Sequence, residues 1–442
     1  MSTVSSPRRE PFGSDTPPRY DGYAPLTLDS VATRLSTYAD IAARLGGPPS
    51  SWDVREVGDG NLNFVYIVTG KDGSVCAKQA LPYVRLVGDS WPLPLSRSFY
   101  EHAALVRQDK ANGNVPEIYH FDAEQALIIM ENLTPHVIWR KALINRERHE
   151  TAAATMADFM AETLFRTSDL ALNATEKKAE MALFSGNTAL CKITEDLVFT
   201  DPYFDHPLNR WTSPELDGKV AEIRADPQWK AAIQGLKFSF LTRAEALIHG
   251  DLHTGSVMVA KTDTGEDIRV IDSEFGFYGP MAFDIGALNA NLFLNAFAQD
   301  GYGDGARFYQ DWLFDQIDLC WARFARRFSE LWRTERTGDA YAHSLYEDQN
   351  HHDASEMALT SFLEQLEVDS LGFAGAKMAR RILGLAGVAD LEGIEPSTLR
   401  AECETRALDF ARLLIVERGD LKSMSRAIEQ AQKILRDGAG AS

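Results

Sequence analysis

The sequence predicts an α+β chain of two unlike units, a small N-terminal one with a five-stranded antiparallel sheet plus one helix, and a larger, mainly helical one carrying a single β-hairpin. Three observations carry that expectation. Short β-branched and aromatic runs, broken by Gly and Asp turns, fill the stretch from Trp52 to Met130. Beyond Glu131 apolar residues recur at helical spacing almost to the end. The length of 442 residues also exceeds the usual single domain of about 100–200.

In chain order, residues 1–25 are rich in Ser, Pro and Arg and have almost no apolar pattern, so they are expected to form a disordered tail. Leu28, Val31, Leu35, Ile41 and Leu45 then repeat at helical spacing until Gly46-Gly47-Pro48-Pro49 stops the segment. Strands are expected at 52–57, 63–68 and 74–80, joined by Gly58-Asp59-Gly60 and Lys71-Asp72-Gly73. A helix over 98–108 and strands at 115–122 and 126–130 complete an N-terminal unit of residues 26–131. Residues 132–442 form the helical unit. Its hairpin pairs 256–260 with 268–271 around Asp263-Thr264-Gly265.

Composition removes several classes of function. With 45% hydrophobic and 25% charged residues the chain is an ordinary globular protein. Lys and Arg number 45 against 64 Asp and Glu, a formal charge of −19, which repels phosphate backbones and anionic membranes. Nucleic acid and membrane partners are therefore not expected, and any anion needs a local site. Cys76, Cys191, Cys320 and Cys403 are scattered, without a CxxC pair or a His cluster, so neither a disulfide framework nor a zinc site is indicated. No run reaches the ~18 apolar residues of a membrane span, and Met1 to Arg9 lacks the apolar region of a signal peptide. A soluble, cytoplasmic protein is expected.

Chemistry concentrates in a few places. His249-Gly250-Asp251-Leu252-His253 follows the apolar run Ala246-Leu247-Ile248, which puts the Asp251 carboxylate in a loop where it can meet a substrate hydroxyl or simply cap a turn. Asp272 and Glu274 are expected to end the second hairpin strand, where both side chains emerge at the hairpin mouth and share a face if the strand continues. Hard oxygen donors of this kind suit Mg²⁺, and a solvated edge is the alternative. The loop Gly58, Asp59, Gly60, Asn61, Leu62, Asn63 can bring backbone N–H groups close to phosphate. Lys78 lies in the third strand, available for a phosphate contact or for the surface. Glu101 in the following helix could pair with it or stay exposed.

A Gly-containing hairpin, strand lysine, helix glutamate, linker strand, loop aspartate and metal-binding acid, in that order, resemble the protein-kinase-like superfamily with its two-lobe fold. The departures are informative. The loop reads His-Gly-Asp, the acidic motif reads Asp272-Ser273-Glu274, and no Ala-Pro-Glu segment follows. Between Asn132 and His249 lies a long helical stretch, consistent with small-molecule kinases and against a peptide substrate. Val57 to Tyr66, His249 to Ser256 and Glu274 to Pro280 together resemble the S-methyl-5-thioribose kinases of methionine salvage, over a span from about Leu28 to the C-terminal helices.

That resemblance implies ATP-dependent phosphorylation of the 1-hydroxyl of S-methyl-5-thioribose by a homodimer. Asp251 would be the catalytic base, the loop Gly58 to Asn63 and Lys78 with Glu101 would bind the triphosphate, and Asp272 with Glu274 would hold Mg²⁺. Met130, Glu131 and Asn132 would meet the adenine, and Trp91 with the adjacent pair Arg380 and Arg381 would belong to the substrate site. Core packing for Trp91 and a solvated helix face for the arginines remain open, because neighbours on a helix diverge by about 100°. Ser256 stands where protein kinases carry a metal-binding Asn, with Glu274 the substitute. A choline- or aminoglycoside-type kinase and a nucleotide-gated binding module are the competing readings.

Overall fold

The computed structural model describes residues 17, 19–58, 62–84 and 88–439. The chain divides into two compact units. One contains the described residues up to His102 together with Ile118–Asn132, and the other contains Ala103–Glu117 and the described residues from Leu133 onward. The expected division at 131/132 took 103–117 into the first unit.

In the first unit, α1 (Leu28–Leu35) and α2 (Ala39–Leu45) replace the one helix expected there. The break has a local cause. Ser36 and Thr37 turn their hydroxyls back to the carbonyls of Thr33 and Arg34 at 2.8 and 2.7 Å, offering the backbone an alternative to helix continuation. Val31, Leu35, Ile41 and Leu45 are fully buried in one core with Tyr66, Val68, Val75 and Ile129. That sheet consists of β1 (Asp53–Glu56), β2 (Asn63–Thr69) and β3 (Ser74–Ala80), followed along the chain by a two-stranded pair, β4 (Tyr83–Val84) and β5 (Gly88–Pro92). Helix α3 (Arg97–Ala111), β6 (Ile118–Asp122) and β7 (Leu127–Glu131) follow. The five main strands run in the order β1-β2-β3-β7-β6, all neighbours antiparallel.

The last residues of the expected 1–25 tail are fastened to this sheet. Buried Gln79 accepts the N–H of Leu26 at 2.7 Å and donates to the carbonyl of Ala24 at 3.0 Å, while Tyr23 donates to the carbonyl of Ala80 at 2.9 Å. A fully buried amide must find partners, and this one finds them in the incoming segment.

The second unit begins with β8 (Val137–Ile138), α4 (Trp139–Ile144), α5 (Ala152–Arg166), α6 (Ala174–Phe184), α7 (Thr188–Phe199), α8 (Asp217–Ala225) and α9 (Pro227–Thr242). Then come β9 (Ala246–Ile248), the hairpin β10 (Val257–Thr262) and β11 (Gly265–Val270), and β12 (Phe277–Gly279). Helices α10 (Met281–Ala298), α11 (Ala306–Thr334), α12 (His352–Leu383), α13 (Ala389–Glu392), α14 (Ser397–Val416), α15 (Arg418–Leu421) and α16 (Met424–Ala439) complete it. Among the described residues no helix is long and apolar enough to cross a membrane.

Two features of this unit position the site. Strand β12 pairs with β9 and β10 pairs with β11, so the loop after β9 and the turn after β11 are held at both ends. Helix α10 is buried along its whole length and crosses α12 backbone to backbone. A Cβ on Gly286 would lie 2.6 Å from the carbonyl oxygen of Ser370, so only glycine permits that approach. From Ser370 to Leu383 every residue of α12 is buried, its three basic residues included.

Candidate active site

The loop after β9 is shaped by hydrogen bonds from every side. Asp284, in the first turn of α10 and almost wholly buried, accepts the backbone N–H groups of His249 at 2.6 Å and Gly250 at 3.0 Å. Gly250 has φ +82°, a left-handed conformation that costs glycine least. The N–H of Asp251 donates to Nδ1 of His249 at 3.2 Å, so the ring proton sits on Nε2, which donates to the carbonyl of Ile271 at 2.9 Å. Ile271 in turn donates its N–H to the carbonyl of Ser256 at 3.0 Å. The loop 249–256 and the segment from Ile271 are thereby laced together.

Asp251 sits at the centre, its side chain one-fifth exposed. Nζ of Lys377 on α12 lies 2.6 Å from its Oδ1, and Nε2 of His253 lies 3.3 Å from its Oδ2. Burial works to raise the pKa of Asp251, but Lys377, His253 and Arg381 outweigh it and hold the carboxyl well below the usual range. His253 is pushed down to about 3, chiefly by burial, with Asp251 opposing. It is therefore neutral. Its Nδ1 accepts from the N–H of Gly255 at 2.9 Å, which leaves Nε2–H to donate toward Asp251.

Asp272 and Glu274 lie on the segment laced to this loop. Strand β11 ends at Val270, so the two carboxylates do not share a strand face as a continued strand would require. Asp272 instead adopts φ +73°, a conformation aspartate tolerates better than most residues, and opens a turn of 3₁₀ helix over Ser273–Phe275. Glu274 is 2% exposed, and its carbonyl accepts from the side-chain amide of Asn187 at 2.8 Å. Among the described residues no group of three or more His, Cys, Asp or Glu is arranged as a metal cage. Two carboxylate side chains on one turn are nevertheless the donor chemistry Mg²⁺ uses when phosphates and water complete its shell.

Arg380 and Arg381 are both 9% exposed, which removes the solvated helix face as an account of them. Nε of Arg380 is buried without a hydrogen-bond partner among the described residues, while its Nη1 donates to the carbonyl of Ala386 at 3.2 Å. Burial, reinforced by Arg380 and Arg140, pushes Arg381 well below its ordinary range. Arg381 also lines a cavity of about 130 Å³ with Trp211, Thr212, Arg400 and Glu404. Arg140 lies 3.4 Å from Asp390, with its Nη2 donating to Asn291 at 2.9 Å. In this region Lys377, Arg140, Arg380 and Arg381 share the fields of two carboxylates, Asp251 and Asp390. Such a cluster favours an added anion.

The first unit holds the remaining expected residues. Lys78, mid-strand in β3 between Val65 and Ile128, pairs with Glu101 on α3 at 2.6 Å, both side chains nearly buried. Of the open alternatives for these two, the pair is the one formed. Asn63 is 5% exposed and accepts from Nη2 of Arg97 at 3.0 Å, while the same guanidinium donates to the carbonyls of Leu62 and Leu81. Gly58 is exposed, with no described residue within 4 Å of where a Cβ would be, and Asp59, Gly60 and Asn61 lie outside the described residues. Met130 is buried opposite Cys76, Glu131 faces Val75, and the amide of Asn132 donates to the hydroxyl of Ser74 at 3.0 Å. Trp91 lies half-buried in β5.

Sequence reasoning missed Lys377, Asp284, Arg140 and Arg97. Lys377 carried a readable signal, because Lys377, Arg380 and Arg381 stand at i, i+3 and i+4 and so share one helix face within an otherwise apolar stretch. Asp284 follows the acidic turn by twelve positions in an apolar helix, and nothing local shows that it reaches back to the loop.

Residues 53–320 match the model of a phosphotransferase enzyme family. The methylthioribose kinase of Escherichia coli O45:K1 is 47% identical over 93% of this chain and 98% of its own length. Methylthioribose kinase 1 of Oryza sativa subsp. japonica is 44% identical over 94% of this chain and 97% of its own. The methylthioribose kinase of Geobacillus thermodenitrificans is 41% identical over 90% and 94%.

Proposed function

The chain belongs to the methylthioribose kinases of the phosphotransferase enzyme family, and on that premise we propose that it transfers the γ-phosphoryl group of ATP to the 1-hydroxyl of S-methyl-5-thioribose, giving the 1-phosphate. The observation that carries the reading is Asp251, a carboxylate kept charged and partly open on a loop laced to the Asp272–Glu274 turn. A choline- or aminoglycoside-type acceptor is not favoured by relatives of this identity and coverage.

In the proposed reaction Asp251 accepts a hydrogen bond from the acceptor hydroxyl and orients it. As the new O–P bond forms and the bond to the departing ADP oxygen breaks, the hydroxyl proton passes to Asp251. Lys78, steadied by Glu101 at 2.6 Å, would contact the α- and β-phosphates, and the loop Gly58 to Asn63 would cover them. The backbone of Met130, Glu131 and Asn132 would take the adenine edge. Asp272 and Glu274 would hold Mg²⁺, which when bound neutralises charge on the phosphates. Arg380 and Arg381 would attract the anionic product side, and Trp91 would contribute to acceptor binding. Positioning and charge neutralisation supply most of the rate, since a loose phosphoryl transition state needs little covalent help. The proposed setting is methionine salvage in the cytoplasm, with a homodimer as the working form.

The test is ADP release measured with methylthioribose, choline and an aminoglycoside as separate acceptors. Release stimulated by methylthioribose, lost in Asp251→Ala and dependent on Mg²⁺ through Asp272, is the expected result. Stimulation by choline or the aminoglycoside alone would replace the acceptor, and no stimulation by any of them would leave a nucleotide-binding module. Light scattering reports the oligomeric state separately.

A further inference from the structure

Lys377 stands out from the other cations of the second unit by where its charge goes. It is 3% exposed, on the stretch of α12 that packs against α10, and its ammonium lies 2.6 Å from Oδ1 of Asp251. The same nitrogen lies 4.8 Å from the ring centroid of Phe283, an aromatic face that attracts a cation and fills one side of its surroundings. With Oδ1 taken by Lys377 and Oδ2 approached by neutral His253, the carboxylate cannot turn without breaking one of two contacts. Each oxygen still keeps lone-pair capacity for one further donor.

We propose that Lys377 is a positioning residue of the reaction, whose buried pairing with Asp251 fixes the direction in which the carboxylate meets the acceptor hydroxyl and keeps it in its charged form. This rests on the thioribose kinase reading for the identity of the acceptor. It does not rest on it for the pairing.

The electrostatics follow from the surroundings. The groups facing Lys377 are Asp251 on the loop, with His253 behind it, Arg380 and Arg381 on its own helix, and Asp284 beside Phe283 on α10. Arg140 and Asp390 act on the same cluster through Arg381. Burial is the largest influence on Lys377 and lowers it to about 8, with Asp251 opposing. For Asp251 the largest influence is also burial, which raises its pKa, and Lys377 is the foremost influence against it. Removing the ammonium while keeping the volume therefore takes away the foremost influence against burial and leaves His253 and Arg381 to oppose it.

The experiment follows the Asp251 carboxyl by ¹³C NMR in aspartate-labelled full-length protein, its resonance assigned by loss in Asp251→Asn. In the wild type Asp251 stays charged to a pH below the ordinary carboxylate range, and in Lys377→Met its titration moves up by about one pH unit or more. With acceptor and ATP, Lys377→Met lowers kcat by about tenfold or more, moves the acid limb of kcat/KM upward in step with the carboxyl, and leaves the KM for ATP within about twofold. An ordinary Asp251 titration in the wild type would overturn the proposal, and that measurement needs no variant to fold. An unmoved titration in Lys377→Met, or a loss of activity equal at every pH, would overturn it as well. Failure of the wild type to phosphorylate thioribose would instead defeat the functional reading while the carboxyl titration still tests the pairing.

Discussion

The hydroxyl of Ser256 donates to the backbone carbonyl of Asp251 at 3.1 Å, inside a loop where Ser256 itself is 1% exposed. By resemblance this residue stands where protein kinases carry a metal-binding asparagine, yet its oxygen faces back into the loop and supports the segment that bears the proposed base, Asp251. Ser256→Ala is therefore expected to lower stability by about 1 kcal/mol, the usual net worth of one hydrogen bond, and to leave the Mg²⁺ concentration for half-maximal activity unchanged. A denaturant midpoint and a Mg²⁺ titration of turnover check both halves. A several-fold rise in the Mg²⁺ requirement would restore Ser256 to the metal site.

Asp284 accepts two backbone N–H groups at once, one on each carboxylate oxygen. In Asp284→Ala both donors stay buried without their acceptor, at a cost of about 2–4 kcal/mol, and the loop loses the tie that sets its path. Asp284→Asn is expected to recover only part of this, because its amide offers one acceptor oxygen and turns a second donor toward a donor. Chemical denaturation of the three proteins should rank them wild type, Asn, Ala, with kcat falling in the same order. Equal stabilities would show that the loop does not depend on Asp284.

Gly250 combines a left-handed backbone with a close approach. A Cβ there would stand 2.2 Å from the carbonyl oxygen and 2.8 Å from the carbonyl carbon of Phe275, backbone atoms that cannot give way as the end of a flexible side chain would. Gly250→Ala is expected to cost about 2 kcal/mol or more in stability and to displace the adjacent Asp251, lowering kcat by more than it raises the KM for ATP. Kinetics at saturating ATP distinguish this from a general loss of folded protein. Wild-type kcat in a folded variant would refute the tight contact.

The parts of the fold that could be read in advance were those set by local chemistry. The sheet strands showed because turn residues bracket β-branched runs, as at Lys71-Asp72-Gly73 between β2 and β3. The order of motifs along the chain is what singles out Asp251 as a candidate, and it also marks Lys78 and Glu101, whose pairing is seen at 2.6 Å. Other features depend on contacts between distant segments. The break between α1 and α2 rests on two hydroxyls choosing local carbonyls, and a periodicity argument runs straight through it. The left-handed turn at Asp272 ends a strand that alternation would have continued. Asp284 and Arg97 are polar residues whose partners are backbone groups far away in sequence, and a backbone acceptor or donor leaves no trace in residue type.

Glu404 on α14 supplies a prediction with a definite sign. It is 5% exposed, one of its oxygens has no hydrogen-bond partner among the described residues, and it lines the cavity shared with Arg381. Burial is the main cause that pushes its carboxyl from 4.5 up to about 7, with a contact to Thr212 and the charge of Arg400 offsetting part of it. A carboxyl whose pKa is raised on folding contributes stability that is fully present below the unfolded value of 4.5 and is lost as pH rises through about 7. Above that pH the wild type carries a buried charge at a cost of about 3 kcal/mol, a figure that follows from about 1.4 kcal/mol per pH unit. Glu404→Gln imitates the protonated form and does not titrate. Its denaturant midpoint should exceed that of the wild type at pH 8.5, and the gap should narrow toward pH 5.5. Parallel stability curves for the two proteins across that window would mean that Glu404 titrates as an ordinary carboxylate, and the burial argument would fail with it.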